Sequence, residues 1–331
     1  MISAVRAAAV ALTAAAGLAA APAAAEDGAA AFDRAGWPDS FTLGAASQGG
    51  TYFTYGSGWA GLVSRALGIS GGVEVTGGPT QNLALVQSGD LAFGMTTLGP
   101  AQDALEGRSP IAPGFRMDKI RAMFPMYETV FSIIVLESSG VAAIADIPDG
   151  ARIGVGPAGG TADTYFPAML ESLGVSFEKR NGGYADLSGQ LRDGLVDVLA
   201  FSAGLPVPVV SQLEAQTEIT VIGFTEAEQA RLLETFPVAA ATVPAGTYRS
   251  LTADARAVSM WNVAIANADA PESLIYAVVK TVMESNAEMT AIHQAAAATL
   301  PANAAKNTVL PWHPGAARWF EENGHALAPI E

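Results

Sequence analysis

The chain has 331 residues, of which 50% are hydrophobic and only 15% are charged, and its net charge is −15 at pH 7. This acidic excess argues against nucleic acid and against an anionic bilayer as partners, because both need basic contacts. A small anionic ligand is still compatible, since a pocket can be locally positive inside an acidic protein. The chain has no cysteine, which excludes disulfides, thiolate zinc sites and cysteine nucleophiles.

The first 25 residues have the pattern of a secretory signal peptide. Arg6 gives a short positive region, residues 7–21 are uncharged and rich in alanine, and Ala23 to Ala25 fit the small-residue rule for cleavage. The sequence therefore predicts a cleavable signal peptide at 1–25 and a periplasmic location. The alternative is a retained membrane anchor, for which this alanine-rich run is short.

The segments that follow alternate between short apolar runs and helical patterns. An apolar stripe at helical spacing begins at Trp59, and Pro79 fits the first turn of a helix that ends near residue 88. The order of strand, turn and helix predicts a parallel sheet with helices on both faces. Strands are predicted at 41–45, 73–76 and 91–96.

The same pattern restarts after residue 121. The apolar, β-branched stretch at 122–136 contains Pro125 and predicts two strands that meet at a bend. Asp269 and Glu272 fit a capping box at the start of a late helix. Further strands are predicted at 152–155, 196–201 and 238–243, and further helices at 164–173 and 269–283.

Together these segments predict an α/β fold with two doubly wound lobes. The first lobe comprises residues 38–126 plus 238–331, because we expect the tail to fold back on the first α/β unit, and the second lobe comprises 127–237. Two crossing strands, near 124–132 and 235–243, are expected to join the lobes.

The turns at the carboxyl ends of the strands are the candidate binding site, because ligands of open parallel sheets bind there. Glycines in these turns open helices whose free N–H groups and dipoles favour a carboxylate or a phosphate. The alternative is that these are ordinary βα turns with helix caps. The candidate ligand-binding residues in the turns and along the cleft wall are Gly49, Gly50, Thr51, Tyr52, Gln81, Asn82, Thr96, Thr97, Tyr127, Gly159, Gly160, Thr161, Phe201, Ser202, Ala203 and Gly204.

One glycine pattern is typical of a dinucleotide-binding loop. The sequence G-V-G-P-A-G at 154–159 follows a predicted strand, and Glu178 lies further along as the candidate acidic partner. The same spacing recurs at 56–61 inside a helical pattern, so chance matches are expected in a chain with 35 glycines. Pro157 also removes a backbone donor from the loop. The sequence therefore does not favour a dinucleotide site.

The sequence also predicts no catalytic residue, metal or cofactor. His293, His313 and His325 all lie in the tail, without metal-ligand spacing, and no G-x-S-x-G or H-E-x-x-H motif is present. The carboxylates are scattered. His313 lies in P-W-H-P-G, which favours a rigid turn over a general base.

An ordered set of motifs resembles the TAXI-type solute receptors of TRAP transporters over nearly the whole chain after the signal segment. In the first lobe the motifs are G-G-T-Y at 49–52, T-G-G-P-T-Q-N-L at 76–83 and L-V-Q-S-G-D-L-A-F-G at 85–94. They continue with M-Y-E-T at 126–129, G-P-A-G-G-T at 156–161, F-S-A-G-L-P at 201–206, P-A-G-T-Y at 244–248 and L-P-W-H-P-G-A at 310–316.

This resemblance implies a type II periplasmic binding-protein fold that closes over a ligand and docks on a small and a large membrane subunit. Family ligands resemble glutamate and 2-oxoglutarate, and the resemblance places Gly50 to Tyr52, Gly160, Thr161 and 201–204 in the cleft. The chain departs from many members at Pro79 and Gln81, where they have a serine and an acidic residue. It also has a shorter loop before Thr161.

We therefore expect a monomeric, non-enzymatic receptor. Its ligand would be a small organic anion, such as a dicarboxylate, a 2-oxoacid or an acidic amino acid, and its partners the membrane subunits of a TRAP-type transporter. The alternatives are a substrate-binding protein of an ABC importer, a periplasmic enzyme on the same fold, and a sensory module.

Overall fold

The first part of the chain alternates strands and helices, as predicted. The structure is a computed structural model, and it describes residues 32–327 and residue 330; the predicted signal peptide at 1–25 lies outside these residues. Gly68 and Gly89 end the first two helices in the left-handed conformation that favours glycine, with φ of 65° and 85°. The elements are β1 (Ser40–Gly44), α1 (Thr51–Leu67), β2 (Ser70–Glu74), α2 (Pro79–Ser88), β3 (Phe93–Thr97) and α3 (Leu98–Leu105).

A long strand, β4 (Ile120–Leu136), leads into a second set of alternating elements. Short 3-10 turns at Glu137–Ser139 and Ile144–Asp146 follow it. The remaining elements are β5 (Ala151–Gly154), α4 (Thr161–Ser172), β6 (Phe177–Arg180), α5 (Tyr184–Arg192), β7 (Val198–Ala203), α6 (Pro208–Glu214), β8 (Ile219–Ile222), α7 (Glu226–Thr235) and β9 (Ala239–Val243).

The tail begins with a second long strand and is otherwise helical. Its elements are β10 (Ala255–Asn267), α8 (Glu272–Met283), α9 (Asn286–Ile292) and α10 (Pro314–Glu322), with 3-10 turns at Gln294–Ala298 and Pro301–Lys306. The predicted capping box is wrong, because α8 begins only at Glu272 and Pro271 is its N-cap. Within the described ranges, no helix has both the length and the apolar character to cross a bilayer.

The ten strands form one mixed sheet in the order β2-β1-β3-β10-β4-β7-β5-β6, with β8 paired to β4 and β9 paired to β10. Strands β1, β2 and β3 are parallel to one another, as are β5, β6 and β7. The two long strands β4 and β10 run antiparallel to each other, from Ile120 opposite Asn267 to Phe131 opposite Val258. This arrangement confirms the predicted α/β fold with two doubly wound halves and two crossing strands.

The second crossing strand is β10, so its predicted place at 235–243 is wrong. Residues 239–243 form β9, which is antiparallel to residues 255–259 of β10 and does not reach the first lobe's strands. β10 itself continues to pair with β3. The predicted bend at Pro125 is also wrong, because β4 is continuous. Pro125 lies opposite Val263, next to a register shift in β10 where the ladder is already irregular, and such sites tolerate proline.

The predicted division into 38–126 plus 238–331 and 127–237 stays a prediction. Val243 and Tyr248 pack in one apolar cluster with Val130 and Leu187 of the second lobe. We therefore propose that the second lobe extends to the start of β10.

Helices cover both faces of the second lobe's sheet. Phe166 and Met169 of α4 pack on one face with Phe131 and Ile153, whereas Leu187 of α5 packs on the other. In the first lobe, the ring of Trp59 contacts Phe93 and Phe124 with centroids 5.8 Å and 5.7 Å away. Burial of these apolar side chains fixes the ends of the parallel strands, and with them the turns of the candidate site.

His313 caps α10, and its protonation is expected to destabilise the fold. The Gly315 N–H donates to His313 Nδ1 at 3.2 Å, so the cap requires a neutral ring. Burial lowers the pKa of His313 to about 4. Below pH 6.5, the ordinary pKa of histidine, His313 binds a proton in the unfolded chain but not in the folded chain, so the free energy of unfolding falls as the pH falls.

We expect a loss of about 2 kcal/mol in the free energy of unfolding between pH 7 and pH 4.5 from this residue. Urea unfolding at both pH values measures it. His313→Asn keeps a cap acceptor but cannot titrate, so its pH dependence should be smaller by that amount. An unchanged pH dependence would mean that other groups cause the acid effect, such as the carboxylates and His293, whose pKa burial also lowers.

Candidate functional site

A small cavity lies where the turns of both lobes meet. Its volume is about 40 Å³, which has room for about three water molecules. The turns that enclose it follow β1, β2, β5 and β6, and the end of β7 completes the wall. The lining residues are Ala46, Ser47, Gly50, Thr51, Tyr52, Gly77, Gly78, Pro79, Thr129, Pro157, Gly160, Thr161, Tyr184, Ser202 and Ala203.

The N-terminus of α1 contributes backbone donors from the first lobe. Gly49 has φ of 83°, and Gly50 is the extended N-cap, so the chain turns sharply from β1 into the helix. The N–H groups of Thr51 and Tyr52 have no partner inside the helix, because the first turn of any helix lacks acceptors. No other described residue accepts a hydrogen bond from them. They are therefore free to bind an acceptor in the cavity.

The N-terminus of α4 makes the equivalent contribution from the second lobe. Gly159 has φ of 80° and Gly160 is the extended N-cap. The N–H groups of Thr161 and Ala162 again have no acceptor among the described residues. Two helix N-termini from opposite lobes thus border the same cavity, and their dipoles add to a positive potential there.

Direct hydrogen bonds hold the lobes together around the cavity. Thr51 Oγ1 donates to the Gly204 carbonyl at 2.5 Å, and the hydroxyls of Thr97 and Thr161 are 2.8 Å apart. The Val209 N–H also donates to the Gly49 carbonyl at 3.0 Å. The structure is therefore a closed form, in which the hydroxyls of Thr51 and Thr161 join the lobes.

Asn262 connects the cavity to the crossing strands. Its Oδ1 accepts hydrogen bonds from the Tyr52 hydroxyl at 2.6 Å and from Thr129 Oγ1 at 2.9 Å, and its Nδ2 donates to the Tyr127 carbonyl at 2.6 Å. Asn262 is fully buried. Burial raises the pKa of the Tyr52 hydroxyl well above its ordinary value, so Tyr52 stays a neutral donor. The network fixes the Tyr52 side chain at the cavity wall.

Tyr184 and Ser202 form the second-lobe wall. The Tyr184 ring stacks on Phe201 with centroids 3.9 Å apart, and its hydroxyl donates to the Ser202 carbonyl at 2.9 Å. Burial raises the pKa of Tyr184 to about 12. The Ser202 hydroxyl lies in the cavity wall, is buried and has no hydrogen-bond partner among the described residues. It is the one side-chain hydroxyl of the lining that the surrounding protein leaves unsatisfied.

The residues that line the cavity carry no ionisable group other than tyrosine hydroxyls. The nearest acid in the α4 turn, Asp163, is engaged elsewhere, since Lys179, Asn181 and the Gly159 N–H all donate to it. Burial alone would raise the pKa of Asp163, but these hydrogen bonds hold it below its ordinary value. Positive potential in the cavity therefore comes from backbone dipoles and not from an arginine or a lysine.

The structure brings seven of the sixteen predicted site residues into the cavity wall, namely Gly50, Thr51, Tyr52, Gly160, Thr161, Ser202 and Ala203. The others lie behind it. Gly49, Thr97 and Gly204 make interlobe hydrogen bonds, and the Gly159 carbonyl accepts one from the Thr80 N–H. Phe201 supports Tyr184, and the Thr96 hydroxyl donates to the Thr97 carbonyl.

Gln81 and Asn82 shape the turn before α2. Gln81 Oε1 accepts a hydrogen bond from the Gly77 N–H at 2.6 Å. The buried Asn82 side chain donates to the carbonyls of Ala45 and Met95. Tyr127 lines a different cavity behind the crossing strands.

The predicted set does not include Ser47, Thr129 and Tyr184, which line the cavity. Tyr184 follows Gly182-Gly183, a turn of the same type as 49–50 and 77–78, so the repeated glycine pair was a usable signal. The ring of Tyr184 also lies over Gly156, where an added Cβ would come within 2.5 Å of it. This leaves no space over Gly156 for a pyrophosphate. The competing glycine pattern at 56–61 lies inside α1, as predicted.

No group of three or more histidine, aspartate or glutamate side chains that could hold a metal ion occurs in the part of the chain that the structure describes.

Comparisons with known proteins agree with this architecture. MatC from Rhodopseudomonas palustris, solved with bound malate, superposes with a TM-score of 0.57 at 14% identity, over 85% of this chain and 98% of that chain. The periplasmic binding protein BugD gives a TM-score of 0.56 at 14% identity, over 87% and 98%. An ancestral arginine-binding protein bound to arginine gives 0.50 at 11% identity, over 78% and 97%.

At these identities the superpositions show the fold alone, and they confirm the predicted type II fold of periplasmic solute-binding proteins. The family assignment rests on a comparison of sequences. A family model matches residues 43–324, most of the chain, and on that match the protein belongs to the NMT1-like family.

Proposed function

We propose that this protein is an extracytoplasmic solute receptor that binds a small organic anion in the interlobe cavity and delivers it to a TRAP-type secondary transporter. The observation that carries the proposal is the convergence of the α1 and α4 N-termini, with unpartnered N–H groups, on a cavity without charged side chains. Such ends bind carboxylates through the orphan donors and the helix dipole.

The lobes have to separate for a ligand to enter. A cavity of about 40 Å³ is far smaller than the roughly 300–1,000 Å³ of typical ligand pockets. The interlobe contacts at Thr51, Thr97 and Thr161 are single hydrogen bonds, each contributing about 0.5–1.5 kcal/mol. Breaking them to open the lobes therefore costs little free energy. The ligand would replace these bonds, and the lobes would close around it like a hinge.

The lining favours a dicarboxylate or a 2-oxoacid over an acidic amino acid. No carboxylate lines the cavity, so an α-ammonium group would be buried without a counter-charge. The same lack of ionisable side chains offers no general base, which supports a receptor over an enzyme. The TRAP partner rests on the TAXI resemblance, and the periplasmic location rests on the signal pattern at 1–25. An ABC importer remains the alternative partner because it uses receptors of the same fold.

Thermal unfolding with a panel of dicarboxylates, 2-oxoacids, amino acids and sulfonates tests the ligand class. A ligand at a hundred times its dissociation constant should add about 2.7 kcal/mol to the free energy of unfolding. A stabilising acid that is recovered unchanged supports the receptor, whereas its consumption would indicate an enzyme. Uptake of that acid into vesicles that contain either TRAP-type or ABC-type membrane subunits then identifies the partner.

Ser202→Ala is expected to weaken anion binding without destabilising the protein. A hydrogen bond to a charged group contributes about 1.5–3 kcal/mol, so the dissociation constant should rise about 10- to 100-fold. Stability should stay within about 0.5 kcal/mol, because no protein partner is lost. Ser132→Ala is the matched control, since Ser132 is also buried and unpartnered but lies outside the cavity. Equal affinities of both variants would remove Ser202 from the site.

A further inference from the structure

A second, larger cavity lies behind the crossing strands. This cavity, here called the hinge groove, has a volume of about 720 Å³ and is lined by Tyr127, Glu128 and Val130 of β4, Trp261 of β10, and parts of 205–206, 242–247 and 294–306. It shares no lining residue with the interlobe cavity. Thr129 lines the interlobe cavity and Glu128 lines the groove, as expected when successive side chains of a strand point to opposite faces. Its volume lies in the range of small-molecule sites, about 300–1,000 Å³.

The groove contains polar groups whose partners are missing. The half-buried Glu128 side chain makes no hydrogen bond and no ion pair with any described residue. Lys306 pairs with no carboxylate in the described ranges, and its Nζ lies 5.8 Å from the centroid of the Trp261 ring. The indole N–H of Trp261 is buried and unpartnered.

These groups are arranged around one aromatic surface. Glu128 lies directly opposite Trp261 in the ladder between β4 and β10, and Lys306 lies over the Trp261 ring. A carboxylate and an ammonium group, not paired with each other, therefore flank the same indole. A partly buried carboxylate without a partner is costly, and so is an unsatisfied buried N–H, so a ligand that pairs with them gains affinity.

We propose that the hinge groove is a second ligand site, for a zwitterionic small molecule of the amino-acid class. The ligand's ammonium group pairs with Glu128, its carboxylate pairs with Lys306, and its apolar part lies on Trp261. A molecule with only one of these charges satisfies only half of the site. The groove thus differs in chemistry from the interlobe cavity, which has no charged side chain and favours a net anion.

Isothermal titration of the purified protein with neutral amino acids and ω-amino acids tests the site. Each hit is compared with its deaminated acid and its decarboxylated amine. Glu128→Gln should weaken binding of the amino acid about tenfold or more but leave binding of the deaminated acid unchanged. Lys306→Gln should weaken the amino acid similarly and leave the decarboxylated amine unchanged. Glu74→Gln, at an exposed position on β2, is the matched control and should bind like the wild type.

These exchanges separate ligand contact from a structural role, because a structural defect would weaken all three ligands together. Two results would overturn the proposal. The first is that no zwitterion binds at millimolar concentration. The second is that a zwitterion binds equally well to both groove variants and is lost in Ser202→Ala, which places it in the interlobe cavity. The first result leaves the organic-anion function untouched, because Ser202→Ala and Ser132→Ala test that function separately with the acid panel. The second result would also contradict the preference of the interlobe cavity for acids without an ammonium group.

Discussion

Asn262→Ala is expected to lower the free energy of unfolding by about 3–5 kcal/mol. The side chain is fully buried and accepts from Tyr52 and Thr129 while it donates to the Tyr127 carbonyl. Alanine leaves two hydroxyls and one carbonyl without partners, and each buried unsatisfied group costs about 1–3 kcal/mol. Urea unfolding measures the loss.

Asn323→Ala is the control for this prediction. Asn323 Nδ2 donates one hydrogen bond to the Trp319 carbonyl at 2.8 Å, at an exposed helix end. Its loss should cost less than about 1 kcal/mol. In addition, Tyr52→Phe together with Thr129→Val should recover part of the stability of Asn262→Ala, because the orphaned hydroxyls are then absent. Equal costs for both asparagines, or simple additivity of the combined variant, would mean that the network does not carry this energy.

The local elements of the first lobe could be predicted from the sequence. Pro79 and Gly89 delimit α2, which the structure places at Pro79–Ser88 as predicted. Strand β10 could not be predicted in the same way. Its residues are apolar and largely buried, so there is no alternation that distinguishes a strand from a buried helix. The assignment of 235–243 as the second crossing strand failed because long-range pairing with β3 and β4, and not local pattern, decides which strand crosses.

The same distinction between local pattern and long-range contact applies to the candidate site. The glycine turns that follow β1 and β5 lie in the cavity wall, because carboxyl ends of parallel strands and helix N-termini follow directly from local pattern. Ser47 and Tyr184 come together only because the lobes meet, where the Tyr184 N–H approaches Ser47 Oγ at 3.3 Å. Asn262 lies on the strand that the sequence did not predict, so its network had no local signal. Contacts between lobes depend on tertiary geometry, which the hydrophobic periodicity of the sequence does not predict.

Gly77→Val is expected to hold the lobes apart and to weaken anion binding about 5- to 150-fold. A Cβ at Gly77 would lie 2.7 Å from the carbonyl oxygen of Ala158, across the gap between the turns before α2 and α4. The φ of Gly77 is not positive, so valine brings no backbone strain. The clash with Ala158 arises only on closure, whereas Gln81 Oε1, 3.1 Å from the added Cβ, belongs to the same turn and has to shift slightly in either form. Overpacking costs about 1–3 kcal/mol, which corresponds to that loss in affinity. Small-angle X-ray scattering should show a larger radius of gyration, and titration with an acid that stabilises the wild type should show the weaker binding.

Gly72→Val isolates the effect of closure from that of a glycine replacement. Gly72 is exposed in β2, its φ is not positive, and an added Cβ would meet only the Phe41 carbonyl at 3.9 Å. This variant should keep the wild-type radius of gyration and affinity. Without ligand, Gly77→Val should lose at most the stability that the interlobe hydrogen bonds contribute, because the clash with Ala158 is relieved when the lobes open, whereas the stabilisation by the acid should shrink. If Gly77→Val instead binds the acid as tightly as Gly72→Val, the anion binds without close contact between the turns that contain Gly77 and Ala158. The hinge mechanism would then be wrong.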